Sequence, residues 1–321
     1  MSEVISSRYA VPSVTLLAPA KINLHLGIYP CPDEDGYHRV DTVMVALDAA
    51  AASRALDAAV APDALGVADE VTVRACPGQE LRVCCEPALE IPQEKNTVWR
   101  AATELARAFG RAPEVDILVR KRVPSQAGLG GGSSDAAATL LALCRLWDID
   151  AHDERVAKAA RSVGADVAFF LDSRPAFLTG RGDVVVETFA PLQQRIPVVL
   201  VRPAGEGVST PAAYRAFDER PCEPADAEPL RKLLRSSVAT AEDIAAMLYN
   251  NLSEPARRLQ PAVGEAIGWL EARPEVLGAQ VCGSGSCVFG ICATIDAADA
   301  VAHDAIVRFG MDSWVRAASF C

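Results

Sequence analysis

The run Pro124-Ser125-Gln126-Ala127-Gly128-Leu129-Gly130-Gly131-Gly132-Ser133-Ser134 leads straight into Asp135-Ala136-Ala137-Ala138-Thr139-Leu140-Leu141. Four of the five residues from 128 to 132 are glycine, so no side chain there holds a ligand off the main chain. Ser133 and Ser134 are hydroxyl N-cap candidates for the helix that follows. A helix start presents unpaired N–H groups and the positive end of its dipole. Behind a glycine loop, its natural occupant is a phosphate chain. The loop lacks the lysine of a Gly-x-x-x-x-Gly-Lys-Ser/Thr sequence and the spacing of a Gly-x-Gly-x-x-Gly fingerprint. Positive charge must therefore arrive from elsewhere in the chain or from a metal ion. The alternative is a flexible linker or a helix start with no ligand.

Phosphoryl transfer without a loop lysine still requires a cation near the moving group and a residue that orients the acceptor hydroxyl. Lys21 and Asn23 share one side of an alternating strand whose other side carries Ile22, Leu24, Leu26 and Ile28. This predicts a half-buried strand with Lys21 on its open face. Asp166 stands before the apolar run Val167–Leu171. If the fold brings the two together, Lys21 stabilises the charge that develops in transfer. Asp166 then receives the hydroxyl proton, a role typically worth about 10²–10⁴ in rate. A carboxylate is a weak base towards an alcohol, so its part is positioning and late proton capture. The alternatives are an N-cap for Asp166 and a solvated strand position for Lys21. Gly283-Ser284-Gly285-Ser286 forms a second glycine turn, also readable as a plain hairpin. In Gly36-Tyr37-His38, Tyr37 can stack on a planar ring and His38 can hydrogen-bond one, or both can decorate a surface turn.

These residues must be placed by a chain of 321 residues, long enough for about two domains. A net charge of −11 argues against nucleic acid as a partner. No run of about eighteen apolar residues predicts a membrane span, and Met1–Ser13 lacks a signal-peptide core. The ten cysteines include no Cys-x-x-Cys pair, and the four histidines lack zinc spacing, so reduced thiols of a cytoplasmic protein are expected. Cys282, Cys287 and Cys292 are five residues apart, which puts successive members on opposite faces of a strand.

Periodicity predicts strands at 14–29, 40–47, 70–74, 80–84 and 115–121, with a helix over 97–109 before the last of them. Helices follow at 134–147 and 153–163, then short strands at 176–178 and 184–187. Beyond a boundary near residue 190 come a strand (198–202), helices (226–249 and 254–271), strands (279–282 and 287–292), a helix (296–309) and a strand (313–318). Residues 1–190 and 191–321 are thus expected as two α+β domains. Ala49–Ala68, rich in alanine, reads as an inserted helix or loop.

Taken in order, Pro19-Ala20-Lys21-Ile22-Asn23-Leu24, Asp35-Gly36-Tyr37-His38, Asn96, Pro124–Ala137, Gly164-Ala165-Asp166-Val167, Gly207-Val208-Ser209-Thr210 and Gly283–Phe289 resemble the GHMP kinase superfamily. The resemblance implies an ATP-binding domain like a ribosomal-protein fold and a ferredoxin-like second domain. It implies Lys21 and Asp166 as the catalytic pair, and Pro124–Ser134 with Asn96 as the ATP site. Asn23, Tyr37, His38 and Tyr214 would be substrate contacts, with the two tyrosines on either side of a cytosine. The cofactors implied are ATP and Mg²⁺, the latter with no metal ligands assigned. The Gly-Tyr-His segment points within the superfamily to phosphorylation of the 2-hydroxyl of a cytidine-diphosphate-linked methylerythritol, a step of non-mevalonate isoprenoid precursor synthesis. A kinase of homoserine or mevalonate type is the alternative, and after it a non-catalytic ligand sensor. The chain departs from the superfamily pattern in Ala49–Ala68, in Ser125-Gln126 and in the carboxylate of Asp135, which suits the helix dipole better than a metal ion. Asn250-Asn251-Leu252 matches the pattern loosely and receives no role, and the sequence sets no oligomeric state.

Overall fold

The structure, a computed structural model, describes residues 11–48 and 66–321. Most of the alanine-rich insertion expected at Ala49–Ala68 lies outside the described residues; Ala68 itself opens a strand.

Three sheets carry the chain. The first has the order β1 (Ser13–Pro19), β4 (Ala68–Ala75), β6 (Val115–Arg120), β5 (Arg82–Glu86). The second has the order β10 (Tyr249–Asn250), β2 (Lys21–Pro32), β3 (His38–Ala46), β7 (Ala176–Thr179), β8 (Val184–Thr188). The single strand expected over 14–29 is two. At Ala20 the backbone leaves one sheet for the other, Ala20 N–H donating to Val67 O and Lys21 N–H to Leu129 O. That bend matters, because it ties the strand carrying Lys21 directly to the glycine loop.

The first sheet is covered by α1 (Thr97–Ala108) and α2 (Gly131–Trp147), with α3 (Glu154–Val163) and the short α4 (Val167–Phe170) packed alongside. Leu16, Val71, Val73, Ile117 and Val119 meet Leu105, Leu140 and Leu143 in that core. The third sheet has the order β11 (Val276–Val281), β12 (Val288–Cys292), β9 (Ile196–Arg202), β13 (Trp314–Phe320), all antiparallel. Between its strands run α5 (Thr210–Asp218), α6 (Glu228–Arg235), α7 (Ala241–Ala245), α8 (Ser253–Leu259), α9 (Pro261–Glu271) and α10 (Ile295–Phe309). Helices α9 and α10 cover one face, where Val263, Ile267 and Val301 meet Val199 and Val288. The opposite face shares a core with the second sheet, where Val198, Leu200, Phe289 and Ile291 meet Ile22, Leu24, Val43 and Val45. Each such side chain contributes roughly 1.5–3 kcal/mol on burial, so the two halves are held as a firm frame around the cleft between them.

The helix expected over 226–249 is broken into α6, α7 and β10. Ser237 adopts φ +52°, and the Thr240–Asp243 capping box starts the chain into a new helix. Helix α5 was not expected, although Ser209 followed by Thr210-Pro211 carries both an N-cap hydroxyl and an early proline. Cys282 and Cys287, expected on opposite faces from their spacing, face the same core shared with the second sheet because a hairpin turn pairs them; Cys292 alone faces α9 and α10. No helix among the described residues is long and apolar enough to cross a membrane.

Candidate active site

The glycine loop, the start of β2 and the turn 283–286 meet at a cleft of about 480 Å³. The loop can lie against the turn only because residue 128 has no side chain. Gly128 adopts φ +76°, and a Cβ placed there would fall 1.7 Å from the carbonyl oxygen of Cys282. Ser286 and Cys287 donate their N–H groups to the carbonyls of Gln126 and Ala127 (3.2 Å each), stitching the two turns together. Gly130, at φ +72°, ends the loop, and α2 begins at Gly131, three residues before the expected start at 134.

Lys21 lies on the cleft floor. Its side of β2, expected to be open, is buried: Lys21, Asn23 and His25 are at most 4% exposed. The reason is that loop, α4 and the 283–286 turn close over that face. Lys21 Nζ donates to Asn23 Oδ1 (2.7 Å) and lies 3.5 Å from Asp166 Oδ2. Asn23 Nδ2 donates to Thr42 Oγ1 (2.8 Å), which donates to His25 O (2.7 Å), so the lysine ends a fixed relay. Asp166 occupies the N-cap position of α4 without making a side-chain cap, and about a third of its side chain is exposed. Two groups 145 positions apart thus converge beside the loop.

Pro124 through Gly132 and Ser133 line this cleft, as does Asn96, whose side chain caps α1 through Val98 N–H (2.9 Å). Ser134 departs from the expected loop set: it borders a separate cavity behind α2 with its hydroxyl buried, and its N–H is spent on Gly130 O (2.9 Å). Asp135 borders the cleft, but its carboxyl is taken by a lysine that also lines it. Its Oδ2 accepts from Lys121 Nζ (2.7 Å), which also bonds buried Asp69. Burial, set against the attraction of Lys121 and reinforced by Asp69, pushes the Asp135 carboxyl up to about 8. A carboxyl that binds its proton more tightly in the folded chain favours folding below its ordinary value near 3.8 and loses that contribution as pH rises through about 8. Asp135→Asn is therefore expected to flatten this loss, so that its urea midpoint gains on that of the parent protein between pH 5 and pH 9.

Tyr214 lines the same cleft, whereas Tyr37 is 54% exposed and lies in a neighbouring hollow with His38. Arg181 borders both spaces and places its guanidinium 4.0 Å above the Tyr37 ring while pairing with Asp33 and Asp35. His38 sits 5.6 Å from Tyr214, ring to ring, and both its ring nitrogens are engaged, Nδ1 with Tyr29 O (2.7 Å) and Nε2 with Asp218 (3.0 Å).

Sequence reasoning missed two asparagines that position the site. Asn250 Nδ2 donates to Val281 O (3.0 Å) and Gly283 O (2.8 Å), and its Oδ1 accepts from Leu252 N–H (2.8 Å). Asn251 bonds both backbone groups of Ile28 (2.9 Å each), pinning β2 from the far half of the chain. No local pattern announces such long-range backbone clamps. Asn250→Ala leaves two buried carbonyls unpaired, an expected loss of about 2–4 kcal/mol in urea unfolding.

The chain matches the GHMP kinases N terminal domain over residues 96–174 and the GHMP kinases C terminal domain over 230–307. It is 36% identical over 297 residues to the 4-diphosphocytidyl-2-C-methyl-D-erythritol kinase of a Nocardioides species, covering 89% of this chain and 91% of that one. The enzyme of the same name from Salinibacter ruber is 37% identical over 283 residues, covering 85% and 88%. A crystal structure of 4-(cytidine 5'-diphospho)-2C-methyl-D-erythritol kinase superposes with a TM-score of 0.70 at 31% identity, covering 96% of this chain and 99% of that chain. Homoserine kinase from Cytophaga hutchinsonii reaches the same TM-score at 17% identity, covering 98% and 97%, which is a likeness of fold.

Proposed function

The chain belongs to the 4-diphosphocytidyl-2-C-methyl-D-erythritol kinase family of GHMP kinases, and from that premise we propose that it transfers the γ-phosphoryl group of ATP to the 2-hydroxyl of 4-diphosphocytidyl-2-C-methyl-D-erythritol in isoprenoid precursor synthesis. The observation that carries this reading is the approach of Lys21 to Asp166 within 3.5 Å at the edge of a main-chain cradle.

In this account the N–H groups of residues 128–132 hold the phosphates and supply what the missing loop lysine would have given. Lys21, kept in place by Asn23 and Thr42, faces the phosphoryl group and offsets the charge that builds on it. Asp166 orients the acceptor hydroxyl and takes its proton as the new P–O bond forms and the bond to the ADP oxygen breaks. The hydroxyl of Ser133, which lines the cleft, would help to hold Mg²⁺, which when bound would neutralise phosphate charge. Asp135 is unsuited to that part because its carboxyl is committed to Lys121.

The acceptor's cytosine lies beside Tyr214 and His38, and Asp218 yields His38 Nε2 to the polar edge of the base. Tyr37, presented by its turn beside this pair, supplies the second stacking face. Base–aromatic stacking is worth about 1–3 kcal/mol, so Tyr37→Ala is expected to raise KM for the cytidine substrate about tenfold while leaving KM for ATP within about twofold. A steady-state assay varying each substrate in turn checks this, and an unchanged acceptor KM would remove Tyr37 from the base pocket.

A further inference from the structure

Behind the phosphate loop, on the opposite side of α2, lies a second cavity of about 470 Å³. Its long wall is the stripe Ser134, Ala138, Leu141 and Arg145, one face of α2 at helical spacing. Leu16 and Leu17 of β1 form the facing wall, and Phe170 and Leu171 close the end nearest Asp166. Pro191 and Cys321 border the far end. The size is that of a small-molecule pocket, for which about 300–1,000 Å³ is usual.

Three observations mark it as a ligand site rather than a packing gap. The Ser134 hydroxyl is buried in its wall and has no hydrogen-bond partner among the described residues, a state that buried polar groups seldom keep. The side chains of Arg145 and His152 line it with no ion-pair partner among the described residues, although the His152 main-chain N–H donates to Asp150 Oδ1 (2.9 Å); Asp172, the carboxylate that also lines the cavity, is paired with Arg174. Finally, the cavity touches the catalytic apparatus through one side chain. Phe170 lines it, and the same ring is so close to the loop that a Cβ on Gly130 would meet it at 3.0 Å, the distance at which it would also meet Lys21 Cγ.

We propose that this rear cavity binds an amphipathic anion, an apolar body of alkyl size carrying one phosphate or carboxylate head, and that its occupancy alters nucleotide affinity through Phe170 and Gly130. The apolar body lies between β1 and α2, and its polar shoulder takes the Ser134 hydroxyl. The head pairs with Arg145 and His152 at the mouth. The binding claim is independent of the kinase reading; the claim of coupling rests on nucleotide binding at the front cleft. Because linkage is reciprocal, any change in nucleotide affinity must be matched by an equal change in affinity for the rear ligand.

Isothermal titration of the full chain with octyl phosphate tests this, with octanol and inorganic phosphate as the tail-only and head-only controls. One saturable site is expected, with each control at least about tenfold weaker, the factor that one charge-assisted contact supplies. Saturating ADP should change the affinity for octyl phosphate about threefold or more without abolishing it. Arg145→Glu, at an exposed position that does not threaten folding, should weaken binding about tenfold, and Leu141→Trp should block the cavity. Absence of saturable heat, or equal affinity in the parent chain and Arg145→Glu, overturns the site. Stoichiometric displacement by ADP also overturns it, because the probe would then occupy the front cleft. Octyl phosphate affinity identical with and without ADP overturns the coupling while leaving phosphoryl transfer at the front cleft untouched.

Discussion

Asp166→Asn is expected to lower kcat by about 10²–10⁴ while the dissociation constant for ATP stays within about threefold. The substitution preserves size and leaves the Lys21–Asn23 bond in place, so the cleft floor keeps its shape. What it removes is the only group of the pair able to accept a proton from the acceptor hydroxyl. A capping role would give a different pattern, namely lower stability with turnover retained. Asp166 makes no side-chain cap to α4, so urea unfolding of the variant should match the parent protein closely. Stopped-assay kinetics together with nucleotide titration separate the two outcomes, and an unchanged kcat would strike Asp166 from the mechanism.

Gly128→Ala is expected to be the most damaging change in the loop. The new methyl group would sit 1.7 Å from the Cys282 carbonyl oxygen at a φ of +76°. The left-handed backbone alone costs roughly 1–2 kcal/mol for a residue with a Cβ, and the collision can be relieved only by parting the two turns. Parting them breaks the Ser286 and Cys287 bonds to Gln126 and Ala127 and moves Gly283, whose own Cβ position lies 3.3 Å from Lys21 Nζ. The expected result is a loss of about 3 kcal/mol or more in unfolding free energy and at least about a hundredfold in ATP affinity. Gly132→Ala is the control for stability. That position is helical, has no positive φ, and meets only Thr97 Oγ1 at 3.4 Å, so its folding free energy should hold or rise by up to about 1 kcal/mol.

The chemistry was more legible in the sequence than the surface that carries it. The glycine run, Lys21 and Asp166 could be named because each is a residue type placed where its chemistry needs it: bare backbone before a helix, a cation on a strand, a carboxylate before an apolar turn. Periodicity also located most strands and helices, since one side of each is pressed into a core. Burial of the polar side of β2 could not be read, because it depends on three segments from distant parts of the chain folding over Lys21 and Asn23. The same holds for Asn250 and Asn251, whose partners are backbone groups of Gly283 and Ile28. Asp135 and Ser134 show the limit of reading a motif as a string. Both adjoin the glycines, yet helical geometry turns one towards Lys121 and the other towards the rear cavity. Helix α5 carries its own local signals, the Ser209 cap and the early Pro211.

The acceptor that receives the γ-phosphoryl group of ATP decides between the candidate substrates. Purified protein with ATP, Mg²⁺ and, in separate reactions, 4-diphosphocytidyl-2-C-methyl-D-erythritol, homoserine or mevalonate, followed by phosphorus NMR, reads this directly. The predicted result is a new phosphomonoester resonance, in step with ADP, in the cytidine-linked reaction alone. A phosphomonoester formed from homoserine or mevalonate instead, or ADP accompanied only by free phosphate, would contradict it.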